Sequence, residues 1–361
     1  MSHREPPHRP PLPTTVEGAA AKRRIVGGPA MIVGFVLLLV VAAGRAVRWR
    51  LARTHRAPGG LVDVGGHRLH IHRSGTGPTV VFDAGAGGTS DDWALVRAGL
   101  EGIATTVAYD RAGLGRSQPG PTPRSVPTQV TELRAALRQS NLQPPYVLVG
   151  HSYGALVVRA YAYEHTDEVS ALVLVDAAHE DQFDYYPEEY VESGRRMARA
   201  MRWTARIAGI IVGTGVPAFF AGRIPDPVAD ALPPDVGARR RATIVMSARH
   251  LRAVADEFAA LDDSLADVRR IRRPLGDLPV TVVTHGVPVT EGVPEHLRTA
   301  VENAWQKMQA ELAGISSEAS LVVAERSGHN IHIEQPEIIV DAILQVLTSR
   351  RRTEAARSSP G

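Results

Sequence analysis

From residue 61 onward, short runs of apolar and β-branched residues alternate with segments of helical spacing. This alternation is typical of an α/β fold in which helices flank a mostly parallel sheet. Two runs, Leu61–Val64 and Arg68–His72, flank Gly65-Gly66 and predict an opening hairpin. The other predicted strands are Thr79–Asp83, Thr105–Tyr109, Tyr146–Val149, Ala171–Asp176, Val280–Thr284 and Leu321–Ala324. The pattern therefore predicts an eight-stranded sheet, with helices at Val126–Gln139, Tyr153–His165, Glu295–Leu312 and Pro336–Leu347.

Residues 179–270 break this alternation. They have helical spacing, interrupted by prolines at Pro225-Asp-Pro and Pro233-Pro234. We expect them to form a helical cap inserted over the sheet of a domain that spans residues 61–349. The tail at 350–361 is predicted to be disordered.

An uncharged segment of 20 residues, 25–44, precedes this domain. As a helix it would span about 30 Å, the thickness of the hydrocarbon core of a bilayer. Lys22, Arg23 and Arg24 precede it, and Arg45, Arg48, Arg50, Arg53 and Arg56 follow it. The segment predicts a single-pass transmembrane helix, with a disordered segment at 1–24 and a basic linker at 45–60.

A cleaved signal peptide is the alternative, with Val41-Ala42-Ala43 as its cleavage site and export as the outcome. The basic residues before and after the segment predict opposite orientations of the helix in the membrane. The side of the membrane on which the domain at 61–349 lies is therefore left open.

The distribution of charge argues against a nucleic-acid partner. Residues 1–60 hold 10 Lys and Arg against 2 Asp and Glu, whereas the remainder holds 31 against 36. A protein that binds phosphates needs its basic surface on the folded part. The basic charge instead lies beside the apolar segment, which points to membrane lipid as the partner.

Gly150-His151-Ser152-Tyr153-Gly154 lies directly between a predicted buried strand and a predicted helix. A strained turn at this point would lift the Ser152 hydroxyl out of the sheet, and the flanking glycines would avoid steric collision. The arrangement predicts that Ser152 is a nucleophile. The alternative is a serine that only caps the helix.

Five stretches of the chain together resemble the α/β-hydrolase family, in the group of esterase-like members with a cap. They are Val80-Val-Phe-Asp-Ala-Gly-Ala-Gly-Gly, Tyr109-Asp-Arg-Ala-Gly-Leu-Gly-Arg-Ser, Gly150-His-Ser-Tyr-Gly, Leu172-Val-Leu-Val-Asp and Arg326-Ser-Gly-His329. They occur in the order found in the family, between Thr79 and Leu347.

The resemblance implies a triad in the order Ser, acid, His. His329 follows the last predicted strand and is the expected base, while His151 and His332 are expected to serve other roles. The backbone N–H groups of Tyr153 and Ala86 are the expected oxyanion donors. Where relatives have a His-Gly pair in the loop after the third strand, this chain has Ala84-Gly85.

The acid has two candidates. Relatives commonly place it after the seventh strand, where this chain has no carboxylate before Glu291. Some relatives place it at the end of the sixth strand, where this chain has Asp176. We expect Asp176 to orient the imidazole of His329, with Glu291 as the alternative.

The cap is rich in aromatic residues for a chain that is only 5% aromatic. They are Phe183, Tyr185, Tyr186, Tyr190, Trp203, Phe219 and Phe220. An apolar wall for a substrate and simple packing of the cap explain them equally well.

The expected function is therefore that of a serine hydrolase of carboxylic esters, and amides and thioesters are further candidates. The expected substrate is a small apolar ester, with no cofactor and no metal, and the sequence leaves the oligomeric state open. The absence of cysteine excludes a cysteine nucleophile and a cysteine-ligated zinc site. A non-catalytic, membrane-tethered binding protein and an acyltransferase are the alternatives.

Overall fold

The alternating apolar runs form one eight-stranded sheet in the computed structural model, which describes residues 27–244 and 247–358. The strands are β1 (Gly60–Asp63), β2 (Arg68–Ser74), β3 (Thr79–Asp83), β4 (Thr105–Tyr109), β5 (Tyr146–His151), β6 (Val169–Val175), β7 (Val280–His285) and β8 (Ala319–Ala324). Their order is β1-β2-β4-β3-β5-β6-β7-β8. β2 is antiparallel to β1 and β4, and all other pairs are parallel. The predicted mostly parallel α/β fold is confirmed.

The central strands are buried on both faces. Every residue of β4, β5 and β7 is buried, as expected for apolar runs covered by helices on either side. β8 is different, because it forms the edge of the sheet and leaves Leu321 and Val323 exposed. A continuous apolar run therefore does not distinguish an edge strand from a central one.

Thirteen α-helices are present in the described residues. They are α1 (Gly27–Thr54), α2 (Ala94–Ala98), α3 (Val126–Gln139), α4 (Tyr153–Glu164), α5 (Gln182–Tyr185), α6 (Glu188–Gly213), α7 (Pro227–Ala231), α8 (Pro234–Ile244), α9 (Ala248–Ala259), α10 (Leu261–Ile271), α11 (Arg298–Leu312), α12 (Ile331–Glu334) and α13 (Pro336–Ser358). One apolar core packs α3, α4 and α10 against the sheet, and another packs α2 and α13 against the opposite face.

Helices α5 to α10 lie in the segment predicted as a cap, with α6 packed against α9. Two of the four prolines that interrupt its pattern stand where helices begin. Pro227 opens α7 behind Asp226, whose carboxylate accepts from the N–H of Ala229 at 3.1 Å, and Pro234 opens α8. Proline is well tolerated there, since the first N–H groups of a helix have no partner within it.

The two ends of the chain differ from the sequence prediction. The predicted basic linker at 45–60 is helical as far as Thr54, because it holds good helix formers and no proline before Pro58. The predicted disordered tail at 350–361 belongs to α13 as far as Ser358, since Arg, Glu and Ala favour helix. Residues 1–24 and 359–361 lie outside the described residues.

The transmembrane helix predicted at 25–44 is not confirmed. Within the described part of the chain, no helix combines the length and the apolar character needed to cross a bilayer. The helix there is α1, which continues past Gly44 through Arg45, Arg48, Arg50 and Arg53.

Candidate active site

Ser152 sits in a strained turn between β5 and α4. Its backbone has φ 50° and ψ −118°, a region that residues with a side chain rarely adopt. The turn is held by hydrogen bonds from Ser152 N to Val175 O at 3.0 Å and from Ala178 N to Ser152 O at 3.1 Å. The loop after β6 thus fixes the position of the serine.

Two glycines make this turn possible. A Cβ atom on Gly150 would lie 2.6 Å from a methyl carbon of Val158, and one on Gly154 would lie 2.5 Å from the carbonyl oxygen of Asp83. Both distances are too short for real contacts. The turn therefore packs directly against the loop that follows β3.

Asp176 follows β6 and is fully buried. Its Oδ2 accepts from His329 Nδ1 at 2.6 Å, and its Oδ1 accepts from Trp305 Nε1 at 2.9 Å and from the backbone N–H of His285 at 3.1 Å. The bond to His329 fixes the orientation of that ring and leaves Nε2 as the nitrogen able to take up a proton. The structure thus brings the predicted base and one of the two predicted acids together.

A second imidazole, which was not among the residues predicted from the sequence, contacts the same carboxylate. Nδ1 of His285, the last residue of β7, lies 2.9 and 2.8 Å from the two oxygens of Asp176. Its Nε2 lies 3.2 Å from Glu302 Oε2, and its ring is stacked against that of Trp305. The available signal was the position of His285 at the carboxyl end of a buried strand, beside the strand that carries Asp176.

These contacts fix the charges around the acid. Burial alone would raise the pKa of Asp176, but the hydrogen bonds from His285 and His329 outweigh it and hold that pKa well below its ordinary value. Burial alone would lower the pKa of His285, but Asp176 and Glu302 outweigh it and raise that pKa to about 9. At neutral pH a protonated His285 therefore lies between two carboxylates.

His151 and His332 have other surroundings. Both are buried, and burial lowers the pKa of His151 well below its ordinary value and that of His332 to about 3. The neutral His151 donates from Nε2 to the carbonyl oxygen of His329 at 2.9 Å. It thereby supports the loop that carries the base.

The loop after β3 is held by the guanidinium of Arg111. This group donates to Asp83 Oδ1 at 2.5 Å, to Ala84 O at 2.6 Å and to Gly85 O at 2.8 Å. It also donates to Glu257 of cap helix α9 at 2.6 Å, and Glu257 accepts from Gly87 N at 3.3 Å. A buried arginine with a cap carboxylate thus orders the loop in which the usual His-Gly pair is replaced. Arg111 lies in a stretch that carried the family resemblance, whereas no sequence signal marked Glu257.

The expected oxyanion donors lie at the same cavity. Ala86 and Tyr153 both line it, together with Ser152 and His329. Among the described residues, the backbone N–H groups of Ala86 and Tyr153 have no acceptor. The role of these two groups as oxyanion donors stays a prediction.

The cavity has a volume of about 850 Å³ and lies between the sheet and the cap. Phe183, Tyr186 and Tyr190 line it, so part of the aromatic cluster forms a wall. Tyr186 and Tyr190 also pack against Val293, Leu297 and Val301. Trp203, Phe219 and Phe220 do not line the cavity and are exposed.

Glu291, the alternative acid, also lines the cavity and is exposed. Among the described residues, no hydrogen bond or ion pair joins it to His329. In the same residues, no group of three or more metal-ligating side chains comes together.

Comparisons with known proteins agree with this architecture. The model of the alpha/beta hydrolase family matches residues 80–342. The uncharacterized protein YqjL of Bacillus subtilis is 27% identical over 278 residues, which cover 76% of this chain and 86% of YqjL. The family match covers more than half of the chain, and the chain therefore belongs to the alpha/beta hydrolase family.

Solved structures share the fold at low sequence identity. The Cif epoxide hydrolase from Acinetobacter nosocomialis superposes with a TM-score of 0.63 at 16% identity, over 85% of this chain and 96% of that one. A thermophilic esterase from Thermogutta terrifontis superposes with a TM-score of 0.56 at 22% identity, over 81% and 99%. At such identities, these likenesses show the fold alone.

The charge on His285 predicts how stability depends on pH. Its raised pKa means that its pairing with Asp176 and Glu302 stabilises the fold fully below pH 6.5, its unfolded pKa, and is lost as pH rises through about 9. Between pH 6.5 and 10, the free energy of unfolding of the natural protein should fall. We expect this loss to exceed the loss in His285→Gln by up to about 3 kcal/mol. Denaturant titrations at successive pH values measure this difference, and parallel pH profiles would contradict the assignment.

Proposed function

We propose that this protein is a serine hydrolase that cleaves carboxylic esters through Ser152, His329 and Asp176. The observation that carries the proposal is the 2.6 Å hydrogen bond between His329 and the buried Asp176, at the cavity that Ser152 also lines. Nucleophile, base and orienting acid in this arrangement are the parts that acyl transfer needs.

In the first half of the proposed reaction, Ser152 Oγ attacks the carbonyl carbon of the ester. His329 Nε2 takes the hydroxyl proton, and the carbonyl oxygen becomes an oxyanion that accepts from the N–H groups of Tyr153 and Ala86. When the tetrahedral intermediate collapses, the bond to the alkoxide breaks and His329 gives it the proton. An alcohol leaves, and the acyl group stays on Ser152.

Water completes the reaction. His329 takes a proton from a water molecule, whose oxygen attacks the acyl carbon, and the second tetrahedral intermediate releases the carboxylic acid. The proton returns to Ser152. Asp176 stays ionised throughout and stabilises the imidazolium form of His329, as its lowered pKa permits.

The proposed nucleophile differs from the one used by epoxide hydrolases and dehalogenases. Epoxide hydrolases and dehalogenases of similar fold use an aspartate in the turn between β5 and α4, where this chain has Ser152. An acyl group transferred to Ser152 forms an ester that water activated by His329 can hydrolyse. A serine nucleophile therefore supports carboxylic esters as the substrate.

The cavity supports a small apolar ester. It is walled by Phe183, Tyr186 and Tyr190, and its volume of about 850 Å³ falls within the range of small-molecule sites. The acyl or alcohol part of the substrate would pack against these aromatic rings.

The proposal is tested by the intact mass of the full chain after exposure to a fluorophosphonate probe. We expect one adduct on the natural protein and on Ser193→Ala, whose serine also lines the cavity, and no adduct on Ser152→Ala. The reason is that Ser152, unlike Ser193, lies in the strained turn after β5 and is the proposed partner of His329. A folded natural protein without adduct would contradict the proposal.

Two carboxylate variants test the assignment of the acid. Asp176→Asn should lower kcat/KM for a short-chain aryl ester by about 10³- to 10⁴-fold, since the amide no longer stabilises the imidazolium. Glu291→Gln removes an exposed carboxylate that is not bonded to His329 and should change kcat/KM by less than about twofold. A large loss in Glu291→Gln with an active Asp176→Asn would reverse the assignment. The melting temperature of each variant separates catalytic from folding defects.

We further propose that residues 25–44 attach the protein to a membrane, a proposal that rests on the sequence alone. The uncharged segment with basic residues on both sides supports it. Retention of the full chain in the membrane fraction after a high-salt wash is the expected result. Recovery in the supernatant, as expected after cleavage of a signal peptide, would contradict it.

A further inference from the structure

Cap helix α6 is apolar on two opposite faces. Ala205, Gly209 and Val212 are buried, with α9 as the packing partner of this helix. Trp203, Ile207, Ile210 and Ile211 follow each other at helical spacing on the exposed side, and we call these four residues the α6 stripe. A helix on a protein surface normally carries polar residues on the side that faces water. The stripe therefore requires an explanation other than packing of the cap.

The α6 stripe is strongly exposed. Ile210 is 73% and Trp203 is 68% exposed, and Ile207 and Ile211 are each more than half exposed. Phe219 and Phe220, in the 3₁₀ helix that follows α6, are exposed as well. Large apolar side chains clustered in this way are typical of a surface that contacts another apolar phase.

The segment that carries the stripe has charges of one sign in its sequence. Residues 193–223 contain six arginines and no Asp or Glu. Arg195 and Arg196 pair with Asp262 and Glu192, whereas Arg199 and Arg202 make no ion pair within the described residues. Arginines beside exposed isoleucine, phenylalanine and tryptophan are the composition of helices that lie in the headgroup region of anionic bilayers.

The end of α1 contributes to the same surface. Arg45 Nε donates to Gly213 O at 3.3 Å, and a Cβ atom on Gly44 would lie 2.6 Å from the backbone of Gly215. Residues 41–56 add five arginines and no acidic residue, and Trp49 is 58% exposed. Two segments that meet in the fold thus share one composition.

We propose that the α6 stripe and its arginines dock onto an anionic lipid bilayer. The isoleucines and Trp203 insert between the headgroups, and Arg199 and Arg202 contact lipid phosphates. These two arginines also line the cavity, so docking brings the cavity close to the bilayer. The proposal does not depend on the hydrolase activity or on attachment through residues 25–44.

The absence of cysteine gives a direct test, because a single introduced cysteine is labelled uniquely. The full chain carrying Ile210→Cys is labelled with a polarity-sensitive fluorophore and mixed with vesicles of phosphatidylcholine alone or with 30% phosphatidylglycerol. Leu321→Cys is the matched control, since it replaces an exposed apolar residue on edge strand β8. We expect a blue shift of the label on Ile210→Cys with the anionic vesicles, and none on Leu321→Cys.

Charge is tested in the same background. Adding Arg199→Gln and Arg202→Gln to Ile210→Cys should raise the lipid concentration needed for half of the blue shift by about 30-fold.

Four results would overturn the proposal. They are no shift at position 210 while the protein sediments with the vesicles, equal shifts on neutral and anionic vesicles, equal shifts at positions 210 and 321, and a shift that grows with protein concentration without vesicles. The last result would show that a second copy of the chain covers the stripe. None of these results would bear on the fluorophosphonate experiment.

Discussion

A carboxylate buried at the end of β6 accepts hydrogen bonds from three other parts of the fold. Asp176 is contacted by His285 from β7, by Trp305 from α11 and by His329 from the loop after β8. A buried carboxylate without partners would be costly, so these donors are needed for its burial as well as for the site. Stability and the placement of the base thus depend on one charged group.

The loop after β3, which also lines the cavity, depends on a buried cation. Arg111 joins Asp83 and the carbonyl groups of the β3 loop to Glu257 of the cap. Removing either partner of such a buried pair leaves an uncompensated charge. The cap is therefore coupled to the loop that carries the proposed oxyanion donor Ala86, and it also supplies the aromatic wall of the cavity.

The cap has two surfaces of different character. Tyr186 and Tyr190 face the cavity, whereas the α6 stripe faces outward among arginines. In the sequence these aromatic residues form one cluster, since composition alone does not tell which side of a helix packs on the sheet. Exposure in the folded chain separates them and gives the two groups different proposed roles.

The sequence by itself determined the strands and helices and the turn that carries Ser152. Alternating apolar runs defined eight strands to within a few residues, because strands buried on both faces must be apolar and must end at turns. The Gly-His-Ser-Tyr-Gly pattern placed Ser152 between a strand and a helix, where local sterics dictate the turn. The sequence was less informative at the chain ends, where helical propensity carried α1 and α13 beyond their predicted limits.

Only the tertiary structure decided which carboxylate meets His329, since Asp176 and Glu291 are both far from it along the chain. It also decided that His285 and Glu257 belong to the site. Each of these residues acts through a partner from another element, and the register of β6 against β7 and the packing of the cap on the sheet bring such partners together. Contacts of this kind have no local sequence signature, because they arise from long-range packing rather than from the residues nearby.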